Sequence, residues 1–349
     1  MRVSVTGATG NVGSALVRRL LADGHDVVGV ARRPPANDDT VSWVEADLST
    51  DCHDVLARAF AGSDAVVHLV WGFQPTHRPD YLESVGVGGT RRVLDASAAA
   101  GVPHLVHQSS IGAYSPRTGS EPVHEDWPTD GIPTSAYSRH KVAAERLLDA
   151  FEARTDVLVT RTRPGIIGQR TAGSSQLRYF LPALVPAAVL RHVPVLPLDR
   201  GLTLQVVHAD DVASAISAAL ETHTPGAFNL VTEPLLDRDA IAEALGARPL
   251  HLPSPLLRAA VDLSWRAHLQ PVDVGWIDLA LQVPVLDASR ARTVLGWTPR
   301  HDAPSVLAEM LAGMASSEHS SSAVLRARTL LDGGRRALRQ GPVSRRTQP

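Results

Sequence analysis

The chain has 349 residues, 44% hydrophobic and 20% charged, with Lys+Arg 34 against Asp+Glu 36 and a formal charge of -2. That is long enough for one large core or two merged ones, and it gives no whole-chain case for nucleic acid or an anionic membrane surface. A single cysteine, Cys52, excludes an internal disulfide framework and any multi-cysteine metal centre. No apolar run reaches the ~18 residues of a membrane span. The nearest, from Phe180 to Leu198, is broken by four prolines and Arg191. Met1-Arg2 opens onto no signal peptide, so a soluble, cytoplasmic protein is expected, with neither nucleic-acid nor membrane partners.

Short β-branched runs alternate with helical stretches through the first half. Arg2–Thr6 reads as a strand and Asn11–Ala22 as a helix, apolar at Val12, Leu16, Leu20 and Leu21 and closed by Gly24. Strands follow at Asp26–Ala31, Val41–Glu45 and Ala65–Val70, then a helix at Tyr81–Ala100 ended by Gly101 and Pro103. Leu105–Ser110 is a strand, Ala136–Arg154 a helix and Val157–Arg163 a strand. This alternation predicts an α/β fold, a doubly wound parallel sheet over residues 1–165. After Pro164 the prolines cluster, which predicts a smaller C-terminal substrate domain over 166–315, with 205–222 returning to the sheet. Seven arginines against Glu318 and Asp332 mark 316–349 as a basic, flexible tail.

Between the first strand and first helix stands Thr6-Gly7-Ala8-Thr9-Gly10-Asn11-Val12-Gly13. Gly7 permits a tight turn, Gly10 lets a pyrophosphate approach the backbone, and Gly13 lets helix and strand pack closely. The helix N-terminus offers N–H groups and a positive dipole end to phosphates. The second strand ends without the acid that binds a ribose 2′-hydroxyl in NAD sites. Arg32-Arg33 follows instead, where Arg32 could pair with a 2′-phosphate, so NADP is preferred over NAD. Tyr137 and Lys141 lie four apart on one helix face, and an ammonium there favours the phenolate. Lys141 is the chain's only lysine. Ser110, at a strand end, could donate to a substrate oxygen. Trp71, Phe73, His77 and Arg78 follow the fourth strand and could line a pocket. No metal site is expected: His104 and His107 face opposite sides of one strand, and Asp210 beside His208 reads as a helix cap.

The glycine spacing, Ser109-Ser110 before Tyr114, and Tyr137-Ser138-Arg139-His140-Lys141 together resemble the extended class of the short-chain dehydrogenase/reductase family, which is epimerase/dehydratase-like. Further landmarks are Asp47-Leu48, His68-Leu69, Arg163-Pro164-Gly165, His208 to Ala213, Phe228-Asn229-Leu230 and Leu295-Gly296-Trp297. The resemblance spans roughly residues 1–310. It implies a Rossmann-type fold with Tyr137 as general acid/base, Lys141 as its activator and ribose contact, and Ser110 as substrate orienter. It also implies that Asp47 and Leu48 hold the adenine and that Leu69, Pro164 and Ile166 line the cofactor. A homodimer is implied through the helices Tyr81–Ala100 and Ala136–Arg154, which the sequence supports only indirectly through apolar Val93, Leu94, Leu147 and Leu148, residues that could simply face the sheet. Two departures stand out. Gly86 occupies the place of an Asn in the family's Asn-Val-x-Gly-Thr stretch, and Ile166-Ile167-Gly168-Gln169 lacks the Asn of nucleotide-sugar enzymes. The expectation is therefore an NAD(P)-dependent dehydrogenase or reductase of a small molecule. A sugar or nucleotide-sugar epimerase/dehydratase and a non-catalytic dinucleotide sensor are the alternatives.

Overall fold

Most strands of the central sheet are buried along nearly their whole length. The computed structural model describes residues 1–36, 38–73, 79–180, 185–270 and 272–327. Its central strands are β1 (Arg2–Thr6), β2 (Asp26–Ala31), β3 (Ser42–Glu45), β4 (Ala65–His68), β5 (His104–Gln108), β6 (Leu158–Pro164) and β7 (Gly226–Leu230). All run parallel, in the order β7-β6-β5-β4-β1-β2-β3. The flanking helices are α1 (Asn11–Ala22), α2 (His53–Phe60), α3 (79–99), α4 (Ala136–Glu152) and α5 (Ala209–Thr222). Along β4 and β5, successive residues enter opposite cores. Val67 and Val106 join Leu16 of α1 and Ile216 of α5, while Val66 and Leu105 join Leu56 of α2, Val93 of α3 and Leu148 of α4.

The strand order reverses beside β1, which leaves a crevice outside the carboxyl ends of β1 and β4. In register there, Thr6 lies beside His68, and His68 beside His107. α3 is not one regular helix: Ser84–Gly88 is wound as a π stretch between α-helical ends.

Several expectations shift. The strand expected over Ala65–Val70 ends at His68, and α2 and β7 were not anticipated. Val206–His208 pairs with Ile166–Gly168 outside the main sheet, and the chain's return extends through β7 to Leu230, past the expected 222. Val93, Leu94 and Leu148 are buried within the protomer, so their apolar character is accounted for without a partner. Residues 316–327 are docked rather than loose: Ser174 N donates to Glu318 O (2.8 Å), Ser322 Oγ to Thr9 O (2.6 Å), and Leu325 is 1% exposed. The remainder of the expected tail lies outside the described residues. No described helix is long and apolar enough to cross a membrane.

Candidate active site

Sterics fix the glycine loop. Gly7 has φ +77, in the left-handed region, and a Cβ on Gly13 would fall 2.0 Å from the Gly7 carbonyl oxygen. α1 then begins at Asn11 with Gly10 as its N-cap and no side chain capping the first turn, so its leading N–H groups are left for an anion. A dinucleotide pyrophosphate fits that turn. Val12 is buried in the core beneath it. Asn11 is held from the side: its Nδ2 donates to Ile167 O (3.2 Å), and Gln169 Nε2 donates to Asn11 Oδ1 (2.7 Å). Thr9 is buried, its carbonyl taken by Ser322.

Around the rim, Arg32 ends up just past β2 and donates to the Tyr81 hydroxyl (2.9 Å). Asp47 Oδ1 accepts from Ser49 N and Oγ, which makes it first a turn-former, and Leu48 is buried beside Gly89. Leu69 N bonds Thr6 O (3.1 Å), Pro164 ends β6, and Ile166 is 39% exposed on the same edge. His68 bridges Thr6 Oγ1 (2.7 Å) and Thr90 Oγ1 (3.2 Å), tying β1 and β4 to α3.

The predicted catalytic residues come together across β5 and α4. Ser110 Oγ accepts from Gly112 N (3.0 Å), and its own O–H hydrogen-bonds the Tyr137 hydroxyl. A Cβ on Gly112 would lie 2.9 Å from Tyr137 Cε1, so the glycine lets the phenol ring lie against this turn. Burial pushes the Tyr137 phenol up to about 12, partly offset by the Ser110 hydroxyl. Desolvation, the largest influence, moves the phenol in the opposite direction to the lysine-favoured phenolate expected from the sequence. Lys141, 2% exposed, donates from Nζ to Gln108 O (2.9 Å), and burial lowers its ammonium to about 7 against the opposing pull of Glu145.

Aromatic rings enclose Tyr137. Phe73 meets it edge-on with centroids 5.3 Å apart, and Trp276, from the helix Val274–Gln282, lies 5.3 Å away. Phe73 also meets Trp276 (5.1 Å) and Tyr179 (6.0 Å). Trp71 and Phe73 both meet the Tyr137 ring, and His77 and Arg78 lie outside the described residues. Trp276 and Tyr179 were missed because they come from distant segments with no motif around them.

Sequence reasoning also missed Glu145, one helical turn beyond Lys141 and 1% exposed. It accepts from Ser109 Oγ (2.6 Å), Arg163 Nε (2.9 Å) and Arg161 Nη1 (3.1 Å). Burial alone would raise its carboxyl, but Arg163, Ser109 and Arg161 hold it below the usual range. Arg163 continues to the Tyr114 hydroxyl (3.0 Å), which donates to Asn229 Oδ1 (2.6 Å). Arg163, Tyr114 and Asn229, read as landmarks in the sequence, form a buried polar chain behind the site. Its four-residue step Tyr137, Lys141, Glu145 was the available signal. At α5 the cap is His208, whose Nδ1 accepts from Asp210 N (3.1 Å); Asp210 instead faces Arg18 (2.8 Å).

Residues 3–231 match the NAD dependent epimerase/dehydratase family. The chain is 30% identical over 318 residues to a UDP-glucose 4-epimerase of Mycolicibacterium smegmatis, covering 86% of this chain and 94% of that protein. It is 29% identical over 317 residues to a 3-diazoavenalumate denitrifying reductase of a Streptomyces species, covering 86% and 97%. The structure of MoeE5 in complex with UDP-glucuronic acid and NAD superposes with TM-score 0.66 at 27% identity, over 91% of this chain and 100% of that one.

Proposed function

The chain belongs to the NAD dependent epimerase/dehydratase family, and from that premise we propose a nicotinamide-dependent dehydrogenase or reductase acting on a carbinol or carbonyl carbon of a small molecule. The observation that carries this is the meeting of Ser110, Tyr137 and Lys141 at the sheet edge that also holds the glycine loop. When bound, the dinucleotide supplies the hydride chemistry. Gly7, Thr9, Gly10, Asn11, Val12 and Gly13 form its phosphate turn, Asp47 and Leu48 take the adenine, and Leu69, Pro164 and Ile166 line its path. Tyr137 gives its hydroxyl proton to the substrate oxygen or takes it back, Ser110 donates to that oxygen, and Lys141 holds the nicotinamide ribose. Arg32, whose Nη1 is on Tyr81, keeps other donors for a 2′-phosphate, so NADP is the preferred cofactor.

Two features favour reduction of an apolar carbonyl. A phenol near 12 is protonated at neutral pH, the form that delivers a proton, and Phe73, Trp276 and Tyr179 present rings around it. The second reading, epimerisation of a nucleotide sugar, is favoured by the likeness to UDP-glucose 4-epimerase. Absorbance at the reduced-nicotinamide band separates them: a reductase consumes NADPH with aryl ketones or aldehydes, whereas an epimerase interconverts UDP-sugars with no net change. Tyr137→Phe is expected to lower kcat by ~10²–10⁴-fold with cofactor Kd unchanged. Retention of more than about half the native rate, with chemistry limiting, overturns the role. Lys141→Ala weakens both. For assembly the proposal keeps a homodimer through α3 and α4, now on the family resemblance alone, and a monomeric mass by light scattering refutes it. A soluble, cytoplasmic location is proposed on the same footing.

A further inference from the structure

Trp71 stands just past β4, among groups to which the proposed chemistry gives it no link. Its ring centroid is 3.6 Å from Lys141 Nζ, its edge meets Tyr137 at 6.4 Å, and His107 lies 6.5 Å away. Beneath the indole is Gly86, within the π stretch of α3; a Cβ there would come 3.1 to 3.3 Å from three atoms of the Trp71 six-membered ring. At such distances a side chain at 86 requires the indole to give by a few tenths of an ångström.

The donor inventory of Lys141 explains why the indole matters. An ammonium has three N–H groups and no acceptor. One goes to Gln108 O. The charged groups around it give little else: His68 and His107 face it from β4 and β5, each held neutral by burial. On its own helix Tyr137 is protonated, and the Glu145 oxygens are committed to Ser109, Arg161 and Arg163. Beside the attraction of the Glu145 charge, the negative face of the indole at 3.6 Å favours the charged form.

We propose that Trp71 is a positioning residue for Lys141, its indole face fixing the ammonium at the end of β5, and that Gly86 is the residue that makes room for it. This rests on the catalytic reading of Lys141 given above.

The chain's single lysine makes the test direct. In the full-length protein grown on ¹³C-lysine, one Cε–Hε correlation reports Lys141, and the indole face shifts it upfield. Trp71→Leu and Gly86→Ala are expected to return it downfield, and Trp71→Phe to keep most of the shift, all with cooperative melting retained. In parallel, Trp71→Leu lowers kcat by ~10-fold or more and weakens cofactor Kd several-fold, and Trp71→Phe stays within about 3-fold of native. Gly86→Ala resembles Trp71→Leu, and adding it to Trp71→Leu costs nothing further, as for two changes acting through one contact. The inference is overturned by a lysine resonance that Trp71→Leu leaves in place, by a phenylalanine no better than leucine, or by losses that multiply. A Lys141→Ala variant with native rate and cofactor affinity sinks the catalytic reading instead, and leaves the resonance result to decide where Trp71 sits.

Discussion

Gly112 shows how a single hydrogen atom sets the site. The phenol of Tyr137 lies where a Gly112 Cβ would be, 2.9 Å from Cε1. Gly112→Ala must therefore displace the ring that the chemistry needs. Because Gly112 follows β5 and is not part of the glycine loop after β1, kcat is expected to fall ~10-fold or more while cofactor Kd stays within about 2-fold, in line with the cost of small misplacements. Steady-state rates beside a fluorescence titration with NADPH check this, and a weakened Kd with native kcat contradicts it. Arg32 allows a second residue-scale test. Its Nη1 contact with Tyr81 orients the guanidinium at the end of β2. Arg32→Ala is expected to weaken NADPH by ~10-fold or more and NADH little, as for a lost charge-assisted phosphate contact. Equal losses for both cofactors, or a native preference for NADH, exclude a 2′-phosphate partner.

At the scale of elements, α4 carries the site on one face. Tyr137, Lys141 and Glu145 follow at four-residue steps, and the last anchors the helix to β6 through Arg161 and Arg163. Glu145→Gln keeps the shape but removes the buried carboxylate that Arg163 and Arg161 share, Arg161 keeping Asp149 and Glu152. Removing one member of such a set typically costs ~3–5 kcal/mol, so a lower urea midpoint with an unchanged m-value is expected, and an unchanged midpoint would show the pair to be dispensable. The residues explain why some elements were legible and others were not. Strands β1, β2 and β4 announce themselves by their valines and β5 by Leu105-Val106, and α1 by its apolar spacing and closing glycine. β7 is only Gly226–Leu230, and its Asn229 is polar because it serves Tyr114, Val123 and Asp287. That breaks the apolar run a buried strand would show. α2 is eight residues long, too short for its period to stand out. The proposed trio of Ser110, Tyr137 and Lys141 stands out in the sequence because motif spacing is local, whereas the aromatic wall joins residues far apart in the sequence, such as Phe73, Tyr179 and Trp276.

The whole molecule couples the site to acid stability through its buried histidines. His68 is held down to about 3 and His104 to about 4, chiefly by burial, and His107 lies well below the ordinary value of 6.5. Neither ring nitrogen of His107 has a protein partner among the described residues. A folded pKa below the unfolded one means that the unfolded chain binds more protons between the two values, so unfolding free energy falls as pH drops below 6.5. The slope approaches about 1.4 kcal/mol per histidine for each pH unit. Glu145, lowered by its arginines after burial is overcome, adds loss in the same direction once pH nears its unfolded range of 4.5. Lys141, depressed toward 7, also makes the folded state gain stability as pH rises from there toward 10.5, so all three kinds of group lean one way. Urea titrations at steps from pH 7.5 to 5 are expected to show a steady loss that begins near 6.5, well above the carboxylate range. His107→Gln removes one of the three histidine sites, and the slope below pH 6 should fall by about one proton. A midpoint that stays flat down to pH 5 would mean that these imidazoles take up protons in the folded chain, with water reaching them.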